Sequence, residues 1–205
     1  MANNISIFKA AVEGDLDEAV LMSLLRHAGA DAFPVYGKRG KGYLRKKIER
    51  YNNAARYGPW IILVALNSEF ECAPILCEDW LKEPAEKMCF RVAVRAIESW
   101  LLADRERIAA FLGISISEIP LNSEVLDDPK RMMVELARIS RRKNIRADMV
   151  PSPRSGRKVG PAYTSCLMEY VSDPESGWRP AVAAERADSL KRCLRAIRHF
   201  RHAKN

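Results

Sequence analysis

Trp60-Ile61-Ile62-Leu63-Val64-Ala65-Leu66 is a continuous apolar run closed by Gly58-Pro59 on one side and Asn67-Ser68-Glu69 on the other. Such a run, with no polar alternation and with turn residues at both ends, predicts a central strand covered on both faces, as in parallel sheets. Upstream, residues 5–12 read as an opening strand broken at Glu13-Gly14-Asp15. Asp15 and Glu18 form a D-x-x-E capping pattern, and Leu16, Ala19, Val20, Leu24 and Leu25 give a helical stripe that stops at Gly29. Phe33 to Tyr36 reads as a short extended piece and 37–42 as a flexible glycine and lysine loop. A basic helix over 43–57 follows, with Leu44, Ile48 and Tyr51 at helical spacing.

Downstream, 72–81 predicts a short helix, 88–94 a strand, and 97–111 one helix containing Trp100, Leu101, Leu102, Ile108 and Phe111. Beyond Gly113, Ser115 with Glu118 reads as a capping box. Asp127-Asp128-Pro129 opens a helix lined by Met132, Met133, Leu136 and Ile139. A Pro, Gly, Arg and Lys-rich loop over 148–161 and a last helix over 180–200 complete the chain. Strands alternating with helices as far as Val94 predict an α/β fold, a central mostly parallel sheet flanked by helices, with a mainly helical second half. The expected organisation is one domain over 1–205, with an α/β core to residue 112 and a helical extension carrying the basic loop from 113.

Composition narrows the classes. No apolar run nears the roughly 18 residues of a membrane helix, and residues 1–11 lack the basic and apolar regions of a signal peptide. Five scattered cysteines among apolar neighbours predict reduced, structural thiols in a cytoplasmic protein. The net charge is +8, concentrated over 38–50, 138–158 and 191–204. Basic clusters of this kind suit a polyphosphate partner such as nucleic acid, and solvated helix faces are the plain alternative. No P-loop spacing, acyl-transfer motif or Cys/His cluster is present.

In a parallel sheet, ligands gather beyond the carboxyl ends of the strands. Two expected strand ends carry candidate ligands there: Glu13 after the first, and Asn67 with Glu69 after the central one. Carboxylates so placed suit a hard divalent cation, which prefers oxygen ligands and keeps sites for a phosphate substrate.

Val12-Glu13-Gly14-Asp15-Leu16-Asp17-Glu18 resembles the first TOPRIM motif, and Ile62 to Glu69 resembles the TOPRIM D-x-D strand. Together with Gly37 to Tyr51, Asn67 to Pro74, Arg91 to Asp104 and Gly156 to Thr164, most of the chain resembles the short bacterial TOPRIM-like proteins grouped as domain of unknown function 4276. These are similar to overcoming-lysogenization-defect nucleases. The resemblance implies a TOPRIM-like fold and a metal-dependent nuclease that uses Mg²⁺ or Mn²⁺ on DNA or RNA. It also implies an anti-phage toxin effector that works beside an ABC-type ATPase.

Carried over, the resemblance makes Glu13 a metal ligand or general base, Asn67 and Glu69 further metal positions, Glu98 a second-metal residue and Lys158 a stabiliser of phosphate charge. Lys38, Arg39, Lys41, Arg154 and Arg157 become the nucleic-acid contacts. The chain departs from the pattern where Ala65 and Asn67 stand at Asp-x-Asp. Three readings follow: lost metal chemistry, an inactivating substitution, or replacement by Glu69 and Glu71. The alternative to an impaired nuclease is a non-catalytic module that binds nucleic acid or the ATPase.

Overall fold

The computed structural model describes residues 6–202. Ile5 and Lys204, which belong to the expected opening strand and last basic cluster, lie outside the described residues. Four strands, β1 (Ser6–Val12), β2 (Ala30–Gly37), β3 (Trp60–Ala65) and β4 (Met88–Ala93), form one sheet in the order β2-β1-β3-β4. Every neighbouring pair is parallel, so the fold is α/β with helices on both faces. All six residues of β3 are buried. Ile61 and Leu63 enter one apolar cluster while Trp60, Ile62 and Val64 enter the other, which is why the run carries no polar alternation.

The crossovers are α1 (Asp15–His27), α2 (Lys41–Ala54) and α3 (Ala73–Trp80). The chain steps outward from β1 to β2, then back across β1 to β3 and on to β4. Right-handed connections in opposite directions place α1 on one face and α2 and α3 on the other. The clusters agree, since α1 residues Leu21, Leu24 and Leu25 sit in the first cluster and Leu44, Ile48, Leu76 and Trp80 in the second. The direction reverses between β1 and β3, and their carboxyl ends therefore flank the crevice where such sheets hold ligands.

After β4 the chain is helical: α4 (Ile97–Ala103), α5 (Arg105–Leu112), a 3₁₀ turn (Ile116–Glu118), α6 (Pro129–Arg138), α7 (Lys143–Met149), α8 (Tyr163–Ser172), α9 (Pro180–Ala183) and α10 (Asp188–His202). These cover the α1 face, and one apolar cluster runs from Phe8 through Trp100, Leu136 and Leu167 to Ile197.

Several local expectations are corrected. The helix over 97–111 is two, broken at Asp104, whose fully buried carboxylate accepts the backbone N–H, Nε and Nη2 of Arg179. The helix over 180–200 is also two, and Glu124 accepts the Asp188 and Ser189 amides where α10 begins. Gly14, not Asp15, precedes the first turn of α1, and Asp15 and Glu18 face Lys38 instead. Ser115 caps Ser117 and Glu118 takes no part in a capping box. On α6 the buried residues are Pro129, Met133, Val134, Leu136 and Ala137, while Ile139 is exposed.

The loop over 37–42 begins with a constrained glycine. Gly37 has φ +94°, and a Cβ there would lie 2.2 Å from the Val12 carbonyl oxygen. A glycine is required where β2 leaves the sheet against β1. Among the described residues no helix is long and apolar enough to cross a membrane.

Candidate functional site

A cavity of about 980 Å³ opens at the carboxyl ends of β1 and β3. The first turn of α1, the turn after β3, the start of α4, helix α6 and the 151–164 segment wall it. Glu13 follows β1 directly, and its Oε1 accepts the Ala65 backbone N–H at 2.6 Å. One strand end thus fixes the carboxylate of the other. Burial raises the Glu13 pKa, against the Ala65 hydrogen bond and the Lys41 charge, which lower it.

Asp17, in the first turn of α1, lines the same cavity and has its pKa pushed up to about 7. Burial is the main cause, followed by the charges of Glu13 and Glu98. Glu98, in the first turn of α4, is 2% exposed. Its Oε1 accepts the Tyr163 hydroxyl at 3.1 Å and lies 3.6 Å from the Lys130 ammonium. Lys130 stands in the first turn of α6 and also lies over the Tyr163 ring, 5.9 Å from its centroid. Tyr163, buried beside Glu98, has its own pKa raised well above the ordinary phenol value by burial and by that carboxylate.

Ala65 and Asn67 both line the cavity. Ala65, the last residue of β3, is 8% exposed and supplies only a methyl group and its N–H. Asn67 has φ 55°, a left-handed conformation that asparagine tolerates better than most residues. Its N–H donates to the Arg95 carbonyl at 2.8 Å, and its own carbonyl accepts from Arg95 Nη1 at 3.3 Å.

The structure brings Glu13, Ala65, Asn67, Glu98 and Lys158 around one cavity, with Lys158 on an exposed loop. It does not bring Glu69 there. The Glu69 carboxylate ion-pairs with Lys41 at 2.9 Å and its side chain is 60% exposed. Glu71 does not line the cavity either.

The basic positions divide in the same way. Lys41 is 10% exposed and donates to the Leu66 carbonyl at 3.0 Å as well as pairing with Glu69, so its ammonium holds the end of β3. Lys38 pairs with Glu18 at 2.6 Å. Arg39, Arg154 and Arg157 are exposed, and the Arg39 guanidinium lies over the Tyr43 ring.

Among the cavity residues that escaped the sequence reading of the site are Asp17, Arg95, Lys130 and Tyr163. Asp17 carries a weak signal, since the first turn of a helix that directly follows β1 starts at the same end of the sheet as Glu13. Lys130 and Tyr163 carry none, because they meet Glu98 only through the packing of α4, α6 and α8.

Among the described residues, no three His, Cys, Asp or Glu side chains converge into a group that could cage a metal ion. Mg²⁺ is commonly held by one or two carboxylates together with water and substrate phosphates. Glu13 and Asp17, two cavity carboxylates with raised pKa values, fit that open mode of binding and not a closed one. Comparison with family models, with curated proteins and with solved structures returned no match.

Proposed function

We propose that this chain is a TOPRIM-like metal-dependent nuclease, cleaving phosphodiester bonds of DNA or RNA in the cavity between the ends of β1 and β3. The observation that carries the reading is that Glu13, Asp17 and Glu98, from three separate elements, line one cavity together with Arg95, Lys130 and Lys158. The charges of Glu13 and Glu98 help to raise the Asp17 pKa, and a divalent cation would relieve that repulsion. Glu13 and Asp17 would hold Mg²⁺ or Mn²⁺, which when bound would polarise a phosphodiester and activate water.

The chain's own residues do the rest. Glu98 and Tyr163 position Lys130, and Lys130 and Lys158 face the space where a phosphate would gain charge in the transition state. Ala65 N–H holds Glu13 in one orientation, so the carboxylate needs no reorganisation when a cation arrives. The compartment that fits is the cytoplasm, where five unpaired cysteines stay reduced.

A second reading is favoured by the methyl group at position 65, where a TOPRIM site has a carboxylate. In it the chain is a non-catalytic module that binds nucleic acid or docks on an ABC-type ATPase in anti-phage defence. Calorimetric titration with Mn²⁺, followed by incubation with labelled single- and double-stranded DNA and RNA, separates the two. The nuclease reading expects metal binding and cleavage that Glu13→Gln abolishes. Metal binding without cleavage, with or without Ala65→Asp, supports the module. Cleavage unchanged by Glu13→Gln overturns the assignment of the site.

A further inference from the structure

On the far face of the sheet from the helical half, aromatic rings and unpaired cations share one surface. Tyr36 on edge strand β2 stacks on Trp60 with ring centroids 5.5 Å apart and planes inclined by 18°. Tyr51 of α2 stacks on the same indole at 4.9 Å, and Tyr36 and Tyr51 lie 6.2 Å apart. Trp60 is 4% exposed and Tyr36 41%, so the buried indole is the floor and Tyr36 the outer layer, with the partly buried Tyr51 beside it.

Tyr43, Lys46, Lys47, Arg50 and Tyr51 recur at i, i+3, i+4, i+7 and i+8 along α2, which puts them on one stripe beside the buried Leu44 and Ile48. The Arg39 guanidinium and Lys47 ammonium lie 5.4 and 5.9 Å from the Tyr43 centroid. Among the described residues Arg39, Lys46, Lys47 and Arg50 make no ion pair, whereas Arg45, off the stripe, is neutralised by Asp79. The stripe starts just past Gly40, at the carboxyl edge of the sheet where the cavity opens.

We infer that this stripe is a binding surface for single-stranded nucleic acid. Tyr36, Tyr43 and Tyr51 offer faces to unstacked bases, and Arg39, Lys46, Lys47 and Arg50 neutralise the accompanying phosphates. Interleaved rings and cations match a single strand because a duplex hides its base faces in its own stack. The inference rests on nucleic acid being the substrate of the proposed nuclease. It does not depend on cleavage.

The test is fluorescence polarisation of labelled oligothymidylate, oligoriboadenylate and a DNA duplex with the full chain, in EDTA so that no metal-dependent cleavage intervenes. Both single strands bind the native chain more tightly than the duplex does. Tyr36→Ala weakens single-strand binding about ten-fold, as loss of one stacked base does. Tyr36→Phe retains it, and Arg50→Glu weakens it while flattening the salt dependence by the equivalent of about one phosphate. Ultraviolet crosslinking of bromodeoxyuridine-containing single strand to the native chain, mapped by mass spectrometry, needs no variant and places crosslinks on residues 36–51.

Equal affinity for duplex and single strand, Tyr36→Ala binding like the native chain, or crosslinks confined to other segments would each overturn the inference. Tyr36-dependent binding by a chain that never cleaves would sink the nuclease reading and leave this surface standing.

Discussion

Glu13 Oε1 accepts the Ala65 N–H at 2.6 Å, so the side chain that follows β1 is fastened to the backbone that ends β3. The two strands are neighbours in the sheet, with Val12 in register with Leu63. A side chain longer than methyl at position 65 would therefore grow into the cavity beside an already oriented carboxylate.

Ala65→Asp tests that arrangement. A carboxylate added beside Glu13 should tighten Mn²⁺ binding about ten-fold or more, since a hard cation gains an anionic oxygen where it met a methyl group. Without cation the same change adds like charge to a partly desolvated cluster and should lower the melting temperature, with Mn²⁺ restoring it. Calorimetry and melting curves with and without Mn²⁺ read both effects. A loss of stability that Mn²⁺ does not reverse would mean position 65 is a packing site.

Asp17 gives an inverted pH dependence. Its folded pKa of about 7 lies above the ordinary 3.8. Between those values the native state holds a proton that the unfolded state has lost, so the group's contribution to stability falls as pH rises through the window. Asp17→Asn should remove that slope, raising the melting temperature above pH about 7 and changing it little below pH about 4. Paired melting curves across pH, in chelator, measure the difference.

Arg179 supports a buried charge. Asp104 is fully buried, and its carboxylate accepts three hydrogen bonds from Arg179. Arg179→Ala leaves the backbone N–H but strands the carboxylate, at a cost of about 3 kcal/mol or more in urea unfolding. Adding Asp104→Asn to that variant should recover part of the loss, because a neutral amide is cheaper to bury than an unpaired carboxylate.

Nucleic-acid binding should separate the basic residues that the sequence alone treats alike. Neutralising Arg154 and Arg157, which are exposed, should lower the slope of log affinity against log salt by about 0.9 for each phosphate that no longer meets a cation. Lys41→Met should leave that slope unchanged and lower stability, since its ammonium serves the Leu66 carbonyl and Glu69. Salt titrations and melting curves on each variant decide between the two roles.

The parallel sheet was readable because β3 is buried on both faces, and two-sided burial removes the polar alternation that would otherwise mark its faces. Glu13 was readable for a related reason. A carboxylate directly after a strand must lie at that strand's carboxyl edge, whatever the rest of the chain does. Local periodicity reports which residues are buried, and it carries no information about what they meet.

Tertiary structure decided everything that depends on a partner distant in sequence. Asp104 breaks a pattern that reads as one helix, because its carboxylate receives Arg179 from 75 residues away. Glu69 follows the central strand as a ligand should, yet Lys41 claims it across the turn. Asp17 becomes a cavity carboxylate with an elevated pKa only when burial and the charges of Glu13 and Glu98 act on it together. Lys130 and Tyr163 enter the site because α6 and α8 pack over Glu98. Strand positions and strand ends follow from hydrophobic pattern, a local property, whereas strand order and the pairing of buried charges are set by which elements the core brings together.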